Sequence, residues 1–111
     1  MRAAVHTLYD AADLSASVNS SAVDCGVIRD CSIQAIITGS SPTGTFKLQV
    51  SNDTGQVANW MDLAGSSQAI TTTGNIGWSI SPMLYDWVRI VYTRTSGTGN
   101  VSALLRHKAG A

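Results

Sequence analysis

The sequence predicts an all-β fold: a single antiparallel β-sandwich of jelly-roll-like kind with seven to nine short strands. Three observations carry the expectation. Apolar and polar residues alternate at period two in many short runs, no stretch keeps an apolar i, i+3, i+4, i+7 pattern for a helix length, and turn residues recur at regular spacing between the runs. A chain of 111 residues has room for one ordinary core and not for two. Residues 1–111 are therefore read as one domain, without internal repeat or linker.

Along the chain, Ala3, Val5 and Thr7 alternate in the first segment. Met1 to Leu14 is read either as a first strand pairing within its own domain or as an N-terminal arm or edge strand added to a neighbouring subunit's sheet. Leu14 to Val18 and Ala22 to Ile28 give two weaker strands around Asn19-Ser20-Ser21. Ser32 to Thr38 is clearer, with Ile33, Ala35 and Ile37 on one face and Ser32, Gln34 and Ile36 on the other. The run from Gly39 to Gly44 then supplies turn chemistry, since Pro42 presets its own φ and glycine reaches positive φ freely. In the next strand Phe46, Leu48 and Val50 oppose Lys47, Gln49 and Ser51.

Asn52-Asp53-Thr54-Gly55 reads as a turn leading to Trp60-Met61-Asp62-Leu63, a short edge strand, and Gly65-Ser66-Ser67 breaks the chain again. Ala69 to Thr72, Ile76 to Ile80, Trp87 to Thr95 and Val101 to His107 complete the strands. Thr73-Gly74-Asn75, Ser81-Pro82 and the run from Ser96 to Asn100 punctuate them. The strongest alternation sets Val88, Ile90 and Tyr92 against Trp87, Arg89 and Val91.

Composition excludes several function classes. Seven basic and seven acidic residues give zero net charge, and charged residues are 13% of the chain. Nucleic acid is therefore not an expected partner, because phosphate binding needs clustered Lys and Arg. No run approaches the length of a membrane span, so no membrane partner is expected, and the first residues lack the apolar stretch of a signal peptide. Ser and Thr, roughly a fifth of the chain, supply the polarity instead and suit exposed strand faces. A neutral, charge-poor surface leaves little self-repulsion between copies, which hints at a chain that sits in an assembly.

Chemistry-bearing residues are sparse. Cys25 and Cys31 could bridge a tight hairpin, sit as two buried thiols or supply half a metal site; buried free thiols fit a small hydrophobe in a reducing cytoplasm. Zinc needs four ligands at paired spacings, and His6 and His107 stand at opposite ends of the chain. They become neighbours if the first and last strands pair. The chain has no Glu, and its Asp residues sit mostly at turns and strand starts, where local backbone hydrogen bonds explain them. No catalytic triad, phosphate loop or dinucleotide fingerprint appears, so neither an enzyme nor a cofactor is expected.

The aromatic residues are the binding signal. Trp60, Tyr85 and Trp87, with Arg89 and Arg94 on the strongest strand, are the candidate interface or ligand contacts, since Trp, Tyr and Arg anchor interfaces and aromatic platforms stack on sugar rings. Trp78, between Ile76 and Ile80, reads as core, and Trp60 and Trp87 as covers of sheet edges.

Several stretches taken together resemble small structural proteins of tailed bacteriophages. They are Ser32-Ile33-Gln34-Ala35, the hairpin-like run from Gly39 to Asp53 with its Thr45-Phe46-Lys47-Leu48-Gln49-Val50-Ser51-Asn52-Asp53 strand, Trp60, and the run from Tyr85 to Gly99. The likeness covers roughly residues 13 to 108, and it departs from the pattern where residues 52–59 lengthen the approach to Trp60. It implies a non-enzymatic virion protein that decorates or cements a capsid in many copies. The partners would be a major capsid protein, other virion proteins and further copies of the chain. A tail or head-to-tail component and a glycan-binding sandwich module are the alternatives.

Overall fold

The computed structural model describes residues 3–25, 30–52 and 59–108. Among them are eight strands in one antiparallel system: β1 (Ala3–Asp13), β2 (Val18–Asn19), β3 (Val23–Asp24), β4 (Cys31–Ser51), β5 (Met61–Asp62), β6 (Gln68–Ile70), β7 (Gly74–Ile80) and β8 (Trp87–Lys108). The all-β class and the strand number are as the sequence predicts. The strand lengths are not. β4 and β8 run for 21 and 22 residues and pair with each other from Ser32↔Arg106 to Ser51↔Trp87.

This long pair is the spine of the molecule. Its first half, residues 32–40 against 98–106, is flanked by β1 on β8 and by β7 on β4. Its second half, residues 44–51 against 87–94, is flanked by β2 and β3 on β8 and by β5 and β6 on β4. The spine folds over on itself and its two halves become the two layers of the sandwich, a jelly-roll-like wrapping of one long antiparallel pair. Tyr9, on β1 of the first layer, meets Phe46 of the second with ring centroids 6.4 Å apart, and Phe46 packs on Tyr92 at 4.6 Å.

Two expected turns are therefore not turns. Gly39 to Gly44 and Ser96 to Asn100 remain in β4 and β8 and form the bend, with register shifts between Ser40 and Thr43 and between Thr43 and Gly44. Gly39 (φ 118°) stands opposite Gly99, and a Cβ on Gly39 would lie 2.4 Å from the Gly99 Cα. Gly97 (φ 78°) is held as closely against the Ser41 carbonyl. The glycines do what a turn would ask of them, supplying positive φ and close backbone approach, but inside a bulged pair. The slip shows in the side chains. Residues 31, 33, 35 and 37 are buried before the bend and 46, 48 and 50 after it, while in β8 the buried set changes from 88, 90 and 92 to 101, 103 and 105. A one-residue bulge inverts which parity faces inward.

The core is the set of inward residues from both layers: Ile33, Ala35, Ile37, Phe46, Leu48, Val50, Val88, Ile90, Tyr92, Val101, Ala103 and Leu105, closed by Leu8, Leu14, Val23 and Ile70. Each large aliphatic side chain fully buried here contributes about 1.5–3 kcal/mol of transfer free energy. Tyr9 ties the layers together, its hydroxyl donating to the Val18 carbonyl at 2.7 Å and the Ile90 carbonyl at 3.2 Å. Burial holds that phenol far above its ordinary pKa. On the other side of the sandwich Trp78 donates from Nε1 to the Ser66 carbonyl at 2.6 Å, and the buried Ser66 hydroxyl donates to the Leu63 carbonyl at 2.6 Å and accepts from the Leu48 amide at 3.0 Å.

Smaller differences from the sequence reading follow from the same architecture. The first segment lies along β8 of its own chain. Leu14 to Val18 is not a strand: β1 ends at Asp13, Leu14 is buried with its amide donating to the Gly99 carbonyl, and only Val18–Asn19 pairs again. Gly74 and Asn75 open β7, where a turn was expected. Trp78 is only half-buried, because β7 is an edge strand. Residues 26–28, the end of the third expected strand, and residues 53–55 of the expected turn lie outside the described residues.

Candidate functional site

Antiparallel register assembles a group of side chains on the outer face of the second layer. Gln49 of β4 is directly opposite Asp62 of β5 on one side and Arg89 of β8 on the other. Directly opposed residues share a face, so the three project together. Arg89 donates from Nε and Nη2 to the Gln49 Oε1 at 3.0 and 2.7 Å, and Gln49 donates from Nε2 to the Asp62 Oδ1 at 2.9 Å. Lys47 closes the ladder with its Nζ 3.0 Å from the other Asp62 oxygen. Over the Arg89 end lies the Trp60 ring, its centroid 4.3 Å from the guanidinium carbon, a cation–π contact.

The electrostatics follow from this geometry. Hydrogen bonds from Gln49 and Lys47 hold the Asp62 carboxyl below the usual carboxylate range. Partial burial pulls the Arg89 pKa down, which leaves a group of that basicity charged. Both Asp62 oxygens are occupied by donors, so this carboxylate is poorly placed as a general base. What the ladder offers outward is a guanidinium, an amide and an indole, the chemistry of a contact surface.

The five residues singled out from the sequence divide. Trp60 and Arg89 are brought together, and Trp87 stands two residues from Arg89 on the same strand face. Trp87 is paired with Ser51, whose side chain therefore also points outward, yet Ser51 is fully buried. Trp87 is its direct cross-strand neighbour. Tyr85 is half-buried against the core. Arg94 is elsewhere: its Nε donates to the Gly97 carbonyl at 3.0 Å and its amide to the Ser17 hydroxyl at the same distance, so it braces the bend. It lies five positions along the strand from Arg89, about 16 Å.

Sequence reasoning missed Gln49, Asp62 and Lys47 as members of the group. Alternation placed Lys47 and Gln49 on an outward face, but only the register of β4 with β5 and β8 shows what they meet. His6 and His107 do become neighbours across the β1–β8 pairing, with stacked rings 5.5 Å apart. Cys25 and Cys31 are free and buried, and burial pushes their thiols up to about 12 and about 11. Among the described residues no three His, Cys, Asp or Glu side chains are placed to hold a metal ion.

No protein-family model matches the chain, and no curated protein sequence matches it. Solved structures do. The chain is similar to the SPBc2 prophage-derived protein YomS with a TM-score of 0.64 and 17% identity, over 95% of this chain and 93% of that one. That likeness is one of fold. Weaker similarity, at TM-scores of 0.46 and 0.45, connects it to the tobacco streak virus coat protein (8% identity, 98% of this chain and 88% of that one) and to a protein of infectious bursal disease virus (13% identity, 100% and 35%). At those scores the agreement carries no argument about topology.

Proposed function

We propose that this chain is a non-enzymatic structural protein of a phage-type virion, acting through subunit contacts to decorate or cement a capsid. The observation that carries the reading is the similarity of fold to a prophage-derived protein, which extends over 95% of this chain and 93% of that one. Three further features support it. The run from Gly39 to Asp53 and the run from Tyr85 to Gly99 resemble phage structural proteins, and within them residues 39–51 and 87–99 pair with each other as part of the spine. The chain has no net charge, which favours association over mutual repulsion. Its most organised polar group presents Trp and Arg, the side chains that anchor protein interfaces. The partners are then a major capsid protein or other virion proteins, and the working location is the particle.

Cosedimentation with purified particles tests the role. Addition of the protein to particles from which it has been stripped restores saturable, stoichiometric binding if it is a capsid component; absence from the particles and failure to bind them overturns it.

A second reading, a glycan-binding module, has one observation in its favour: an indole, a guanidinium and a carboxamide converge at Trp60, Arg89 and Gln49. Quenching of tryptophan fluorescence by soluble oligosaccharides, abolished by Trp60→Ala, would favour this reading over the capsid one.

A further inference from the structure

The edges of the sandwich differ in how they are protected, and among the described residues one long edge has no backbone partner on its outer side. β2, β3, β5 and β6 are two or three residues long, too short to template another strand. β1 is long, but its pairing shifts register twice, Ala11 is at φ 47°, and exposed Asp10 and Asp13 stand on it. Bulges and charges are the usual means of blunting an edge. β7, with the sequence Gly-Asn-Ile-Gly-Trp-Ser-Ile, has none of these: seven residues in unbroken register with β4, no charge and no proline.

The side of β7 turned away from β4 can be identified. The Gly77 carbonyl accepts a hydrogen bond from the Gln68 side chain at 2.8 Å, so it points outward. Backbone groups alternate along a strand, and those of Asn75 and Ser79 therefore point outward with it. Among the described residues Gly77 O is the one group on this row given a partner, from a single exposed side chain, and a carbonyl has a second lone pair. Ile76 and Trp78, directed toward the sandwich interior, are left half-exposed along the same edge.

We propose that the β7 edge is a self-association surface on which a second copy of this chain pairs antiparallel, β7 to β7, about a two-fold axis through Gly77. In that register Gly77 faces its own counterpart, where the absence of a side chain permits close approach, and Asn75 of each copy faces Ser79 of the other. Three opposed pairs each exchange both backbone bonds. Ile76 of each copy meets Trp78 of the other, an aromatic–β-branched cross-strand pair of the favourable kind. A second copy is the occupant this strand fits, because a strand without charge opposes nothing repulsive when it meets itself, and the result is a self-complementary isologous contact. The first layers of the two copies then form one continuous sheet. The inference does not depend on the virion role and holds for the isolated protein.

The contact is a strand edge, smaller than the roughly 1,000 Å² of a standard interface, so association is weak and concentration-dependent. The test is mass in solution across a concentration series by sedimentation equilibrium, with folding of every variant checked by circular dichroism. The unaltered chain is expected to approach twice the monomer mass. Asn75→Asp combined with Ser79→Asp sets like charges opposite each other at both ends of the pairing and halves the mass; Asn75→Lys combined with Ser79→Asp sets opposite charges there and restores the dimer. A chain that stays monomeric throughout, a dimer unaffected by the two aspartates, or a charge-swapped variant that fails to associate overturns the proposal.

Discussion

The two outer faces of this sandwich are built on the same two strands and have opposite chemistry. On the second layer Lys47, Asp62, Gln49, Arg89 and Trp60 interlock in an unbroken run of side-chain contacts. On the first layer the outward residues of β1, β8 and β4 include Val5, Leu104 and Ile36, exposed at 46, 45 and 44%, among Ser32, Gln34, Thr7 and Ser102. Leu104 is diagonal to Ile36 on one neighbouring strand and to Val5 on the other, so the three form a stripe. In a chain as poor in charge as this one, gathering the polar network on one face leaves the other cheap to desolvate. The first layer is also the one that ends in β7, whose outer side has no backbone partner among the described residues.

Both faces depend on the bend that separates them, so the largest expected effect is there. Gly99→Val would place a Cβ 2.3 Å from the Thr38 carbonyl oxygen, against backbone that cannot give way. We expect a loss of about 3 kcal/mol or failure to fold, read from urea denaturation. Gly65→Ala is the control. Its Cβ would meet nothing, and only the positive φ is penalised, at about 1 kcal/mol.

Next in size is the tie between the layers. Tyr9→Phe removes a hydroxyl that serves two buried carbonyls, with an expected cost of about 1–2 kcal/mol. The pH dependence has a definite sign. The phenol is raised in the folded state, so its contribution is full below the ordinary tyrosine value and is lost as pH rises past it, because only the unfolded chain then ionises. Melting temperature should fall on the alkaline side in the parent and less so in Tyr9→Phe.

The outer faces come last, and they should respond differently. Trp60→Ala removes one half-buried cation–π contact, about 1 kcal/mol. Because the Asp62 carboxyl is lowered in the folded state, its contribution is present above the ordinary aspartate value and lost as pH falls through the folded one. A carboxyl titration by NMR should place its midpoint below that of Asp in an unfolded peptide, and Gln49→Ala should move it upward. On the first layer Ile36→Ser with Leu104→Ser should change stability by less than about 1 kcal/mol while reducing binding of an apolar dye. An equal loss of dye binding from Trp60→Ala would erase the contrast between the faces.

Alternation was legible wherever it was local. Ile33, Ala35 and Ile37, then Phe46, Leu48 and Val50, then Val88, Ile90 and Tyr92 were each placed together on one strand face from period two alone, and each set is buried, because the face a strand residue takes is settled by its immediate neighbours. Gly39 to Gly44 and Ser96 to Asn100 were misread for an equally local reason. Glycine at positive φ serves a chain reversal and a bulged bend alike, and what distinguishes them is a partner about 60 residues away in sequence that stays paired throughout. Trp60 and Arg89 were legible as candidates by residue type. That Gln49 joins Arg89 to Asp62, and that Arg94 braces the bend, depends on register.

The amino-acid sequence by itself thus determined the class of the fold, which side chains of the clearest strands share a face and the chain's zero net charge, since these depend on side-chain chemistry at period two and on composition. Only the tertiary structure decided that two strands span both layers, which side chains meet on each outer face and which long edge lacks a backbone partner among the described residues. These are long-range pairings, whose free energy comes from closing loops and burying surface between distant segments, and no local window of sequence contains both partners.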